Sequence, residues 1–357
     1  MNTVSPTLDV RGKRLLVMKL RYIGDTLSLL PIIDNLKAKA PDAVLDVMVN
    51  RGTEDVLKHH PAVRRVWGYD RELATKNIPS TIAYHIKLIR QLRSARYDIV
   101  IDFTHGDRAA FLSFVTGAAL RISYENSSSL SHLLMNRFVH CDPFRYHVVD
   151  YQLQALRLFG MNHFSREMNL HVPTEVRSMM DRMLAEHGVR LDAFNVVIHP
   201  GARGRLRQWP VERYAEIARR LHQRYAASIL LLGGPGEGDL VDSLERFMGF
   251  RPAFRSSDLT ILEMAALLSR CRLFIGNDSA PAHIAAAVGC AGLTLFGPTY
   301  PHLWRPLNRI GEVAFKDVPC CGCRQETCLH PENTCMDRIG VEEVWEKLQR
   351  LGSAIAL

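Results

Sequence analysis

"NVVIHPGARGRLRQWPVERYAEIARRLHQRYAASILLLGG" (residues 195–234) is the stretch that decides the fold. A short β-branched apolar run passes through a basic loop into a helical stretch, and a second apolar run follows, ending on two glycines. Continuous apolar runs mark strands buried on both faces, and a helix between two of them makes a parallel β/α/β unit. The segment just before it, "NLHVPTEVRSMMDRMLAEHGVRLDAF" (169–194), is polar and breaks the pattern, so the alternation restarts at residue 195.

The same alternation extends outward on both sides. Toward the C-terminus come a helix, "LTILEMAALLSRC" (259–271), a strand, "RLFIGND" (272–278), a helix, "SAPAHIAAAVG" (279–289), and a strand, "AGLTLFGPT" (291–299). Toward the N-terminus, "RLLVMKL" (14–20), "VLDVMV" (44–49) and "DIVIDF" (98–103) read as strands. Between and after them, "LSLLPIIDNLKAKAP" (27–41), "STIAYHIKLIRQLRSARY" (80–97) and "VVDYQLQALRLFG" (148–160) read as helices, the last ending on glycine as helices commonly do. Two β/α series predict an α/β protein of two doubly wound, Rossmann-like domains, residues 1–172 and 173–357, facing a central cleft. The length of 357 residues is too great for one core and suits two. The last helix, "GVEEVWEKLQRL" (340–351), can pack on either domain.

A formal charge of +8 points to an anionic partner: nucleic acid, a phosphorylated small molecule or an anionic lipid surface. Nucleic acid is disfavoured, because no helix-turn-helix, RRM or aromatic-interleaved basic stretch is present. No apolar run is long enough to span a bilayer, and the first twenty residues lack the apolar core and cleavage site of a signal peptide. Cytoplasmic residence is expected, with peripheral contact to the inner face of the membrane left open. The chain has no G-x-x-x-x-G-K-[ST], no G-x-S-x-G and no strand-terminal G-x-G-x-x-G, which weakens P-loop, hydrolase and simple dehydrogenase readings.

The chemistry-bearing segments sit where strands give way to helices. In "LFIGNDSAPAHIAAAVG" (273–289), Asp278 and Ser279 stand at a helix entry with Pro281 in the first turn. The free N–H groups of such an entry can receive a phosphate; an ordinary cap with a core histidine, His283, is the competing reading. "HPGARGRLRQWP" (199–210) brings Arg203, Arg205 and Arg207 to another such loop, with Pro210 suited to the first helical position. Arginine offers fixed donors to phosphate oxygens, although a solvated basic loop explains the same residues. In "GGPGEGD" (233–239), Glu237 can accept from ribose hydroxyls or belong to a surface turn. "LRYIGDTLSLLP" (20–31) places Asp25 at a strand-to-helix turn, as a helix cap or as an acid facing a reacting group.

Taken together, the strand–"GD"–helix opening, the "HPGAR…R-x-W-P" loop, the "GGP-x-E" loop and "GNDSAPAHIAAAVG…LFGPT" resemble the ADP-heptose:lipopolysaccharide heptosyltransferases, glycosyltransferase family 9. "DSAPAHIAAAV" and "WRPL" (304–307) look most like the heptosyltransferase III branch. The resemblance spans nearly the whole chain. It implies the GT-B architecture, with the acceptor on the first domain and the nucleotide-sugar donor on the second. By motif position it assigns Asp278, Ser279, Ala280 and His283 to the donor's diphosphate, and Arg207 to a place where many relatives carry lysine. Glu237 falls near the ribose-binding acid, and Leu259 where an apolar residue packs on adenine. Asp25 matches the catalytic acid, with Gly24 and Arg21 beside it on the acceptor side.

The implied reaction is an inverting displacement at the anomeric carbon, in which ADP leaves and a carboxylate takes the attacking hydroxyl's proton. Arginines and helix N-termini can hold the leaving diphosphate without a metal, and no Asp-x-Asp sequence suggests a metal-dependent site. No cofactor is called for. The implied partners are ADP-heptose, the inner core of lipopolysaccharide and an anionic inner-membrane surface, for which "KLRYIGD" and "HIKLIRQLRSARY" are candidate contacts. The same fold with another nucleotide-sugar donor, and a non-catalytic nucleotide-sugar binder, are the rival readings. Five of the eight cysteines lie in "CCGCRQETCLHPENTC" (320–335). Cys321, Cys323, Cys328, His330 and Cys335 can make a thiolate–imidazole metal site, or form a reduced irregular loop.

Overall fold

The computed structural model describes residues 7–75, 77–323 and 327–355. The chain divides into two compact units, one ending at His171 and the other beginning at Val172. Each is built on a six-stranded sheet in which every pairing is parallel.

The first sheet contains β1 (Arg14–Lys19), β2 (Val44–Asn50), β3 (Val63–Tyr69), β4 (Ile99–Asp102), β5 (Leu120–Tyr124) and β6 (Arg137–Val139), in the order β3-β2-β1-β4-β5-β6. The second contains β7 (Asn195–His199), β8 (Ser228–Leu232), β9 (Phe254–Ser256), β10 (Leu273–Asn277), β11 (Ala291–Phe296) and β12 (Gly311–Phe315), in the order β12-β11-β10-β7-β8-β9. Counted from its own first strand, the second sheet repeats the order of the first. Each therefore reverses direction once, between β1 and β4 and between β7 and β10. The carboxyl ends of those strands frame the crevice where open α/β sheets bind ligands.

The central strands are apolar throughout because both of their faces are covered. β4, β7 and β10 are buried along their whole lengths, and β1 at every residue but the first. The helices Ile78–Ser94 and Asp107–Val115 close one face of the first sheet, burying Leu88, Leu92, Ala109 and Leu112 against Leu16, Met18 and Val100. In the second unit the helix Val211–Tyr225 contributes Tyr214, Ile217 and Leu221 to a core shared with Val196, Ile198 and Ile275. The helix Val341–Ile355 adds Val344, Trp345, Leu348 and Leu351 to that core.

Five strands go beyond those read from the sequence: β3, β5, β6, β9 and β12. β3 shows why such strands escape a hydrophobicity reading. Lying at the sheet edge, it exposes Arg64 and Arg65 beside buried Trp67 and Tyr69. Its charges have local work: Arg64 donates two hydrogen bonds to the fully buried Asp46, at 2.9 and 2.6 Å, and Arg65 lies 3.6 Å over the Trp67 ring. Tyr97 also donates to Asp46, at 2.6 Å, so this carboxylate inside β2 is paired.

Candidate active site

At the switch point of the first unit, β1 ends on Lys19 and the chain turns through Arg21 and Tyr22 into a single-turn helix, Ile23–Leu27. Tyr22 holds the cap position, so Asp25 is the third helical residue and not the N-cap. Its carboxylate reaches back to the Tyr22 N–H at a long 3.4 Å, the return bond of a capping box. The closer relationship is electrostatic. Lys19 is almost fully buried and its Nζ lies 3.5 Å from Asp25 Oδ1. The same ammonium donates to the Phe103 carbonyl at 2.9 Å. In the amide orientation that satisfies both neighbours, Gln152 accepts from it at 3.1 Å and donates to Ser28. Burial pulls the Lys19 pKa down while Asp25 pulls it back up.

β4 runs beside β1 with Asp102 level with Met18, and delivers the loop Thr104–His105 to the same place. Arg21 donates to the Thr104 carbonyl at 3.1 Å, while half-buried Gly24 stands next to Asp25. Asp102 is fully buried; its Oδ1 accepts from Thr104 N at 2.7 Å and its Oδ2 has no hydrogen bond among the described residues. Burial raises its pKa to about 6. His105 takes a left-handed φ of 64°, packs edge-on to Tyr124, and is driven down to about 3 by burial, then by Lys19 and Arg21. Strain of this kind in a non-glycine residue collects at functional sites.

In the second unit the candidate residues fall into two bonded groups. Asp278 follows β10 and is buried; its Oδ2 accepts from Thr299 Oγ1 at 2.6 Å and pairs with Arg207 Nη1 at 3.4 Å. Asp278 therefore anchors the arginine. Its own carboxylate would repel a phosphate. Ser279 is the N-cap of the helix Ala280–Ala287, with Pro281 in its first turn and no side-chain cap bond. Ala282 N bonds to Ser279 O, while the N–H groups of Ser279 and Ala280 have no bonded acceptor among the described residues. Two donors and a guanidinium thus meet at a helix start. His283 lies one turn on, half-buried.

The second group surrounds Glu237, whose Oε2 accepts from Gly234 N at 2.7 Å and lies 3.4 Å from Nε2 of buried His199. Burial lowers the His199 pKa and Glu237 opposes it. A Cβ on Gly201 would overlap this carboxylate, so the Glu237 tip takes up this position only because residue 201 is glycine. Asn277 joins the groups. Its Nδ2 donates to Pro200 O and Gly201 O at 2.7 and 3.3 Å, and its Oδ1 accepts from Trp209 N and the Tyr214 hydroxyl at 3.1 and 2.9 Å. Pro210 stands one residue before the first helical residue, Val211, instead of at it. Arg203 and Arg205 are exposed, and half-buried Leu259 follows β9 without a hydrogen bond to the other candidates.

Lys19, Asp102, His105, His199, Asn277 and Thr299 are site residues that the sequence reading did not single out. Four of them end or directly follow a central strand, which is the signal that finds them. Among the described residues no three His, Cys, Asp or Glu side chains are arranged to hold a metal ion, and all eight cysteines are free thiols.

Comparison with known proteins identifies the family. The profile of glycosyltransferase family 9 (heptosyltransferase) matches residues 85–333. The chain belongs to that family. It is 31% identical over 291 residues to lipopolysaccharide heptosyltransferase 3 of Escherichia coli, covering 80% of this chain and 84% of the relative. Among solved structures, a family 9 glycosyl transferase from Veillonella parvula superposes with a TM-score of 0.85 at 20% identity, covering 97% and 98% of the two chains. The E. coli heptosyltransferase WaaC with ADP gives 0.74 at 18% identity, covering 95% and 99%. The family 9 chain is a glycosyltransferase of GT-B-type fold, and both of its sheets have the Rossmann order. No helix among its described residues is long and apolar enough to cross a membrane.

Proposed function

We propose that this glycosyltransferase moves heptose from ADP-heptose to the inner core of lipopolysaccharide, with inversion and without a metal. The observation that carries the reading is the state of Asp25: a half-buried carboxylate at a sheet switch point, bound to the Tyr22 N–H only at 3.4 Å and set beside a buried ammonium. The first unit takes the acceptor and the second the donor. The acceptor hydroxyl loses its proton to Asp25 as its oxygen bonds to the anomeric carbon. The bond from that carbon to the diphosphate oxygen breaks, and a single displacement inverts the configuration. The Lys19 ammonium, 3.5 Å from Asp25 Oδ1, holds that carboxylate in place while the proton is transferred. Arg207 and the N–H groups of Ser279 and Ala280 take the charge that grows on the departing ADP. Glu237 binds the ribose, Leu259 faces the adenine, and His283 lies beside the diphosphate. Gly24 and Arg21 line the acceptor side. The acceptor is a glycolipid held at the inner leaflet, where the enzyme works from the cytoplasm as a peripheral protein.

The relatives' names support the sugar and the acceptor, and the ADP in the WaaC structure supports the nucleotide. The test is incubation of the purified chain with ADP-heptose, a panel of other nucleotide sugars and truncated core acceptors, with mass analysis of the products. Transfer from ADP-heptose is expected. Asp25→Asn should bind ADP normally and lose about 10²–10⁴ of turnover, the range general-base catalysis supplies. Normal turnover in that variant, or preference for another donor, would refute the reading.

A further inference from the structure

Three helices on one side of the first sheet, Ile78–Ser94, Asp107–Val115 and Ser129–Leu134, turn large apolar side chains outward. Ile78, Ile82 and Ile86 recur every fourth residue along the first helix, 77%, 53% and 44% exposed. Phe111 and Phe114 on the second helix are 41% and 50% exposed, and Leu133 on the third 78%. These helices are neighbours in sequence between β3 and β6. The first two bury their opposite faces in one core, so the exposed side chains belong to one surface. A soluble surface scatters such residues singly, and a gathered set marks an interaction site.

Charge identifies the occupant. The helix Ile78–Ser94 carries no acidic residue, and its exposed side continues from the three isoleucines into Lys87, Arg90 and Arg93. None of these three cations forms an ion pair among the described residues. The second helix adds Arg108 and Asp107, and the third has neither Lys, Arg, Asp nor Glu. Four cations against one carboxylate, beside an apolar stripe, is the composition of a helix that lies in a lipid interface.

We propose that this face docks on an anionic lipid bilayer, with Ile78, Ile82, Ile86, Phe111 and Phe114 entering the acyl boundary and Lys87, Arg90 and Arg93 meeting the headgroups. The proposed acceptor gives the docking its purpose. Binding is nevertheless measured without any sugar transfer, so either reading can fail alone.

The test uses the full chain in co-sedimentation with phosphatidylglycerol-containing vesicles and with pure phosphatidylcholine vesicles. Binding should require phosphatidylglycerol and weaken as salt is raised. Ile82→Asp with Ile86→Asp, and separately Lys87→Glu with Arg90→Glu, should each lower partitioning at least tenfold while transfer to a soluble truncated acceptor is unchanged. An Ile82→Trp reporter gives a gain of signal that does not depend on a damaged variant: its emission should shift to the blue on adding phosphatidylglycerol vesicles and be quenched by brominated lipid. Equal binding by wild type and both charge-altered variants would overturn the proposal, as would an Ile82→Trp emission unmoved by vesicles. It would also be overturned by a wild-type dimer that Ile82→Asp with Ile86→Asp turns into a monomer while neither binds lipid, because the face would then join two copies of the chain.

Discussion

Replacing Asp102 with asparagine should remove a loss of stability that the first unit suffers as the pH rises, and uncover an opposing pH dependence carried by His105. Asp102 titrates near 6 in the fold against an ordinary 3.8. The folded state holds this proton more tightly, so the contribution to stability is complete below about pH 4 and is lost as the pH climbs through 6. The loss amounts to about 3 kcal/mol at pH 8. Asparagine keeps the bond from Thr104 N through its own Oδ1 and never ionises. Its unpaired Nδ2 costs about 1–3 kcal/mol at every pH and cancels when the difference between two pH values is taken. His105 behaves in the opposite sense, with a pKa near 3 against 6.5. Its contribution is complete above 6.5 and is lost as the pH falls toward 3, by up to about 5 kcal/mol. Between about pH 4 and 6 the two slopes oppose each other in the wild type. Urea unfolding read by hydrogen exchange of β1 and β4 peptides follows the first unit alone. The advantage of Asp102→Asn over wild type should grow by about 3 kcal/mol from pH 4 to pH 8. His105→Gln should instead gain stability on acidification from pH 6 to 4. An Asp102→Asn difference that stays constant across this range would refute the assignment of a buried, titrating carboxylate.

Three further outcomes concern the second unit. Arg207→Ala should weaken ADP binding about 10- to 100-fold by calorimetry, the worth of a charged hydrogen bond, and Arg207→Lys should recover part of it. Gly201→Ala should push the Glu237 carboxylate away from Gly234 N and lower nucleotide affinity, with a thermal midpoint close to wild type because the glutamate tip is free to swing; an unchanged affinity would remove Glu237 from the donor site. Asn277→Ala leaves the Trp209 N–H, the Tyr214 hydroxyl and the Pro200 carbonyl without their buried partner and should cost about 3 kcal/mol in urea unfolding.

What the sequence disclosed and what it hid follow from one physical difference. The central strands β1, β4, β7 and β10 are covered on both faces, so they must be continuously apolar and are legible as such. β3 meets water and pairs Arg64 with Asp46 across strands, so Arg64 does not read as sheet until its partner is known. The candidate site is legible by the same rule: Asp25, Arg207, Glu237 and Asp278 each follow an apolar run at a strand-to-helix turn. Lys19 is not legible, because a lysine closing a strand looks like the strand reaching solvent. Its meaning lies in partners at residue 103, just past β4, and at residue 152, far along the chain.

The two sheets share one strand order, and that repetition explains why polar residues gather where they do. In each sheet the neighbours of the first strand diverge at one crevice, and the backbone there loses the cover that helices give the rest of the strand. A strand can end on a buried polar residue only if the diverging loops supply partners. Lys19 and Asp102 in the first unit, and His199 and Asn277 in the second, occupy those four ends. Three of them fix loops: Asn277 holds the Pro200–Trp209 loop, Asp102 holds Thr104, and His199 meets Glu237. Lys19 is set apart, because beyond Phe103 O it turns to a carboxylate that remains partly open to solvent. A fold that needed only to close its crevice would have no reason to leave Asp25 there. The proposed catalytic carboxylate stands at that turn, whereas the other three strand ends hold loops of their own units in place.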